Sequence, residues 1–154
     1  MAEKTLMLSS DNDYDWLGSG IYFWEEAPVR AYEWAKWKFK GDAAVIGAKI
    51  RLGKCLNLLD VDSYKPLREA YKALVDSGQE LPTNTKYYHR LDCLVINTAT
   101  DFAANKLKTP YDTVRGPFLE GDPVFPNPKL FDKSHIQIAV RNCAALVELF
   151  PVDI

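Results

Sequence analysis

Apolar and polar positions change period several times along the chain, and each change marks an element. The first run, Ile21-Tyr22-Phe23-Trp24, is β-branched and aromatic throughout and is opened by Gly18-Ser19-Gly20, which predicts a buried strand over residues 18–24. Glu25-Glu26-Ala27-Pro28 then places acids and an early proline where a helix begins, and Lys36, Lys38 and Lys40 crowd its end before Gly41. Ala27, Ala31, Trp34 and Ala35 share one face between these limits, so a helix is predicted over 27–40. Residues 43–51 and 54–60 are short apolar runs separated by Gly53 and predict a hairpin. Asp62 and Ser63 stand as caps before Leu67, Ala70, Tyr71, Leu74 and Val75 at helical spacing, and Gly78 closes that segment. A further helix is predicted over 86–106, with Leu91, Leu94, Val95, Thr98 and Phe102 on one stripe, and both helices are expected to pack on a sheet. Asp112-Thr113-Val114-Arg115 reads as a strand, as do Ile136, Ile138 and Val140 alternating with Gln137, Ala139 and Arg141, and the final run 145–150. Between them Gly116, Pro117, Gly121, Pro123, Pro126 and Pro128 mark a loop over 116–133. Connections longer than about 12–15 residues are uncommon and often functional, so this loop is a candidate substrate-facing segment.

Strands in both halves with helices clustered between them predict an α+β fold, not a βαβ alternation. A length of 154 residues suits one domain, 1–154. With 47% apolar and 26% charged residues the chain can bury a core and stays clear of the disordered class. No stretch approaches the roughly 20 apolar residues of a membrane helix, and Met1-Ala2-Glu3-Lys4 begins no secretion signal. Cys55, Cys93 and Cys143 are widely spaced, and only His89 and His135 are present to complete a metal site; reduced cysteines, a cytoplasmic location and no bound metal are expected. A net charge of −2 argues against a protein that wraps duplex DNA, while leaving room for a local basic patch. No GxGxxG or GxxxxGK run is present, which removes the Rossmann and P-loop readings.

The run Leu17-Gly18-Ser19-Gly20-Ile21-Tyr22-Phe23 resembles the GxGIYF strand of the diphtheria-toxin/poly(ADP-ribose) polymerase-like ADP-ribosyltransferases. Gln137-Ile138-Ala139-Val140-Arg141-Asn142 resembles the family's third motif, EYIVYD, with Gln137 at the glutamate position and Asn142 at the aspartate position. The long loop lies where that family carries its target-recognition loop. More closely, Asn12 to Gly18, Asp112 to Gly116 and His135 to Ile138 look like the corresponding runs of a group of bacterial proteins within it. The resemblance spans residues 17–150 and implies a split β-sheet with helices, NAD+ as substrate, and mono-ADP-ribosyltransferase activity. It further implies a toxin or defence effector of bacterial or phage type, a protein or nucleic-acid acceptor, and an antitoxin as partner. The alternative left open is a transferase-shaped binding module without catalysis. The family's histidine-glycine strand has no counterpart in the 16 residues ahead of Leu17, so the sheet is expected to lack its N-terminal strand and to hold NAD+ more weakly.

By resemblance, Tyr22 stacks on nicotinamide and Gln137 grips a ribose hydroxyl. Breaking the nicotinamide–ribose bond passes through an oxocarbenium-like state that a carboxylate stabilises, and glutamine carries no charge. Losing one such preorganised group typically adds about 3–4 kcal/mol to a barrier. Glu120 is the candidate for a carboxylate supplied by the loop, its alternative being a solvated acid. Gly20 admits close approach of backbone to a ligand. Trp24 and Trp34 are candidate walls of a nicotinamide pocket, with core packing the alternative for Trp34. Arg115 offers a planar fork to pyrophosphate or to a surface ion pair, and His135 either donates to a ligand or fastens its strand. Lys36-Trp37-Lys38-Phe39-Lys40 interleaves cations with rings, a pattern that stacks bases and holds phosphates, or is a solvated helix end. The central spatial expectation is that Tyr22 and Gln137 meet across paired strands as the wall of a nucleotide cleft.

Overall fold

The computed structural model describes residues 7–154; the opening run Met1-Ala2-Glu3-Lys4 lies outside the described residues. The chain is an α+β protein with elements in the order β1 (Ile21–Glu25), α1 (Pro28–Phe39), β2 (Val45–Ile50), β3 (Cys55–Asn57), α2 (Tyr64–Asp76), α3 (Arg90–Asn105), β4 (Thr113–Phe118), β5 (His135–Val140) and β6 (Leu146–Val152). A four-stranded sheet runs in the order β1-β5-β4-β3, and β2 pairs with β6 in a separate two-stranded sheet. β5 is antiparallel to both of its neighbours, whereas β3 and β4 are parallel.

β5 is central because both of its faces are apolar enough to bury. Ile138 and Val140 point to one side with Ile21 and Phe23, and there they meet Ala145 and the second sheet's Ala48, Ile50 and Leu146. Ala139 points to the other side with Val114 and Leu56, where Leu17 and Ile96 of α3 close over them and Leu67 of α2 packs alongside. Leu17, Val114 and Ala139 are fully buried. Fully burying a side chain of leucine or valine size contributes about 1.5–3 kcal/mol, so this helix-facing cluster anchors the layer that carries the site.

The hairpin expected across Gly53 does not form. Residues 43–51 supply β2, which pairs with β6, and the segment after Gly53 supplies β3, which pairs in parallel with β4. Gly53 does turn, at φ +58, but it turns the chain from one sheet to the other. Arg51 N–H donates to Ala145 O, and beyond the turn Lys54 N–H donates to the Asp112 carboxylate. The β3 strand ends at Asn57, short of the expected Asp60, because a turn and the 3-10 segment Val61–Ser63 follow. There Asp60, not Asp62 or Ser63, is the side-chain cap, accepting from Asp62 N–H. The acids before α1 do not face its first turn: Glu25 belongs to β1, and Glu26 makes the turn at φ 49. Lys40 closes α1 in the left-handed conformation with its N–H on Lys36 O, a role expected of Gly41. β4 continues through Gly116 and Pro117 to Phe118, so the long loop runs over 119–134. Pro117 is tolerated because β3 has already ended beside it, leaving that edge unpaired. No helix among the described residues is long and apolar enough to cross a membrane.

Candidate functional site

Tyr22 and Gln137 stand on the same sheet face, the one covered by the helices. Tyr22 pairs with Ala139 and Trp24 with Gln137, so the ring at 22 and the amide at 137 are diagonal neighbours. Both are occupied by the protein itself. The Tyr22 hydroxyl donates to Gly18 O at 2.6 Å and accepts from Leu17 N–H at 3.0 Å. Burial, reinforced by the nearby Asp15 charge, holds its phenol far above the ordinary tyrosine range, so it stays protonated. Gly18 is required at its turn. Its φ is +74, and a β-carbon there would lie 2.4 Å from both the Arg141 guanidinium and the Asn97 carbonyl oxygen. Gly20 likewise admits a close approach, but the approach is of β5: a β-carbon would lie 3.0 Å from Val140 O and 3.1 Å from Ala139 Cβ.

The polar atoms around Gln137 assign themselves. Trp16 Nε1–H can only donate, so the atom 2.8 Å from it is the Gln137 carbonyl oxygen. The Gln137 amide nitrogen then faces His135 Nε2 at 2.8 Å, which must accept. His135 Nδ1 therefore carries the proton and donates to Lys133 O at 2.7 Å. The result is a neutral relay, Trp16–Gln137–His135, with the histidine side chain only 2% exposed. His135 holds its strand and orients Gln137. Gln137 in turn is an anchor, with neither end of its amide turned outward.

Around this relay rings gather on the same face. Trp24 meets Trp34 of α1 at 5.2 Å between ring centres and His135 at 6.2 Å, while Phe118 lies 5.6 Å from His135 and 5.1 Å from Trp16. Trp34 is a wall of this cluster and not a core residue, being 36% exposed. The long loop brings Glu120 to its margin, where one carboxylate oxygen is 2.8 Å from Arg30 and 4.0 Å from His135 Nδ1. Arg30 also pairs with Glu33. Burial draws the Arg30 guanidinium down, and the bonds to Glu120 and Glu33 more than restore it, leaving it above its usual value. Its Nε is buried and has no hydrogen-bond partner among the described residues.

Arg115 is not part of this cluster. Period-two alternation turns its side chain to the opposite face, where it grips Glu25 through two bonds of 2.6 and 2.7 Å and reaches Asn57 at 3.3 Å. The Arg115 bonds hold the Glu25 carboxyl below its ordinary value of 4.5. A depressed carboxyl stabilises the fold fully above the unfolded-state value and loses that contribution as pH falls through the folded-state value. Glu25→Gln is therefore expected to cost about 1 kcal/mol at neutral pH, a figure kept small by the partial exposure of the pair. Urea melts should show the gap from the unsubstituted chain closing below about pH 4.5; a gap that persists there would refute the pairing.

Two partners of the site carried no strong signal in the sequence. Trp16 sits against Gly116, where a β-carbon would lie 2.9 Å from its ring, and that glycine reads from the sequence as the start of the loop. Arg30 carried no signal either, since its partner lies 90 residues away. Beyond Trp16 a groove of 420 Å3 opens between α2 and α3, lined by Leu58, Tyr64, Tyr71 and Val95 among others. Among the described residues no cluster of three or more histidine, cysteine, aspartate or glutamate side chains is arranged to hold a metal. Comparison with known proteins adds no assignment: no protein-family model, no curated protein and no solved structure matches this chain.

Proposed function

We propose that the chain is an NAD+-dependent mono-ADP-ribosyltransferase, of the toxin or defence-effector kind, acting on a protein or nucleic-acid acceptor. The observation that carries this reading is Glu120: the loop delivers a carboxylate to the same face, and the same end of the sheet, as the relay centred on Gln137. That supplies the charge that glutamine lacks. Arg30 fixes one Glu120 oxygen, leaving the other to accept from a ribose hydroxyl and to oppose the positive charge that develops as nicotinamide departs. Arg30 stands at the margin of the ring cluster while the Arg115 fork is taken by Glu25 on the opposite face, which favours Arg30 over Arg115 for the pyrophosphate. Trp24 and Trp34 offer ring faces to the nicotinamide.

A second reading, a transferase-shaped module that binds without turning over, is favoured by one specific observation: the hydroxyl of Tyr22 and both ends of the Gln137 amide are already hydrogen-bonded within the protein. Thermal melts with and without NAD+, together with nicotinamide release, separate the two. The transferase reading expects NAD+ to raise the melting temperature and nicotinamide to appear. Gln137→Glu sharpens the test. A carboxylate there has no hydrogen to offer the His135 Nε2 lone pair, so the two groups must share an added proton. Release of nicotinamide should then rise above that of the unsubstituted chain. Neither a melting shift nor release in either form leaves the binding module.

A further inference from the structure

The last turn of α1 presents cations and bare rings together. Trp37 is 76% and Phe39 64% exposed, flanked by Lys36, Lys38 and Lys40. Among the described residues none of the three lysines has an acidic partner within 4.0 Å. Lys38 instead lies 4.6 Å over the Trp34 ring and 5.7 Å from that of Phe39. Exposed rings grouped beside unpaired positive charge offer a surface on which a partner can dock. We propose that this helix end is a docking site for single-stranded nucleic acid.

Three features select that occupant. Three lysines within five residues are complementary to phosphate on a chain of net charge −2, so the attraction is local. The ring faces suit unpaired bases, which a duplex keeps stacked inside itself. Helical residues two apart point about 160° away from each other, so Trp37 and Phe39 leave opposite sides of the helix with lysines between them. A strand can follow such a surface around the helix end. A bilayer cannot, because insertion requires one continuous apolar face. The patch also continues into the candidate site, since Trp34 packs on Trp24. That the docked strand is the acceptor rests on the transferase reading; that it binds does not.

Fluorescence anisotropy of a labelled single strand of about 12 nucleotides, titrated with the full chain in the absence of NAD+, tests the site. Between about 50 and 200 mM salt, log affinity should fall against log salt with a slope of about −2, as expected when three lysines neutralise phosphates of a single strand. Trp37→Ala should weaken binding about tenfold, and Lys36→Gln/Lys38→Gln/Lys40→Gln should flatten the salt dependence. Unchanged thermal melts confirm that both variants stay folded, as the exposure of these side chains leads one to expect. Absence of binding at the lowest salt, or a Trp37→Ala chain that binds like the original, overturns the proposal. So does binding to phosphatidylserine vesicles without binding to the strand, which would make the patch a membrane contact. Because NAD+ is left out, failure of nicotinamide release leaves this result standing, and failure here leaves the transferase reading standing.

Discussion

A Gly116→Val chain is expected to be less stable by about 2–4 kcal/mol, which for a protein of this size lowers the melting temperature by about 5–15 °C. Gly116 lies opposite Gln137 in the β4–β5 register. Its missing side chain is the space that Trp16 fills, with Leu17 and Leu58 close behind: a β-carbon would stand 2.9 Å from Trp16 and 3.2 Å from each leucine. Valine brings two further methyl groups into that space. Overpacking of this kind commonly costs about 1–3 kcal/mol, and moving the indole also strips the buried Gln137 oxygen of its donor, an unsatisfied group worth about 1–3 kcal/mol. Trp16→Phe adds no crowding and removes the N–H together with part of the indole. Its cost should be about 2–4 kcal/mol, the lost hydrogen bond plus the small cavity left where the outer ring stood. If Gly116→Val melted within about 0.5 kcal/mol of the unsubstituted chain, the seating of Trp16 on this glycine would be wrong, and with it the orientation of Gln137.

These effects show where the sequence was readable. Helix α2 follows from the 3.6-residue recurrence of Leu67, Ala70 and Leu74, a signal that lies within one element. Helix α3 forms where expected, but it buries Cys93, Ile96, Ala99, Thr100 and Ala103, and Phe102 of the expected stripe is exposed. Strand β5 follows from its alternation, and with β1 beside it the same alternation places Tyr22, Trp24 and Gln137 on one face. The hairpin failed because nothing local distinguishes a glycine that reverses a chain onto itself from one that passes it to another sheet. The partner of β2 is a strand about a hundred residues later. The site was hidden for the same reason. Trp16 reaches Gln137 across 121 residues, and Arg30 reaches Glu120, like Arg115 its Glu25, across 90. Residue type nominated both Arg115 and Glu120 for chemistry. The face on which each emerges decides between them, and that is a property of register and loop path.

Glu120→Gln is expected to lower nicotinamide release from NAD+ by at least about a hundredfold while the fold survives. Survival follows from position. The Glu120 side chain is 43% exposed on a surface loop, and its loss leaves Arg30 still paired with Glu33. Exposed pairs of this kind contribute about 0–1 kcal/mol, so the melting temperature should move by only a few degrees. The loss of turnover follows from charge. Glutamine keeps the shape and one acceptor oxygen, so it can still meet a ribose hydroxyl, but it cannot oppose a developing oxocarbenium, and one preorganised electrostatic group is worth about 3–4 kcal/mol of barrier. Two controls fix the interpretation. Gln137→Glu combined with Glu120→Gln returns a carboxylate to the neighbouring position, and recovery of turnover would show that the site needs the charge near the relay, from whichever strand or loop supplies it. Arg30→Lys retains a positive charge but not the fork, so it should reduce NAD+ affinity more than the rate at saturation. A Glu120→Gln chain that releases nicotinamide at the original rate would remove this carboxylate from the chemistry. The negative charge would then have to come from elsewhere, and the case for the loop as the provider of what position 137 lacks would be lost.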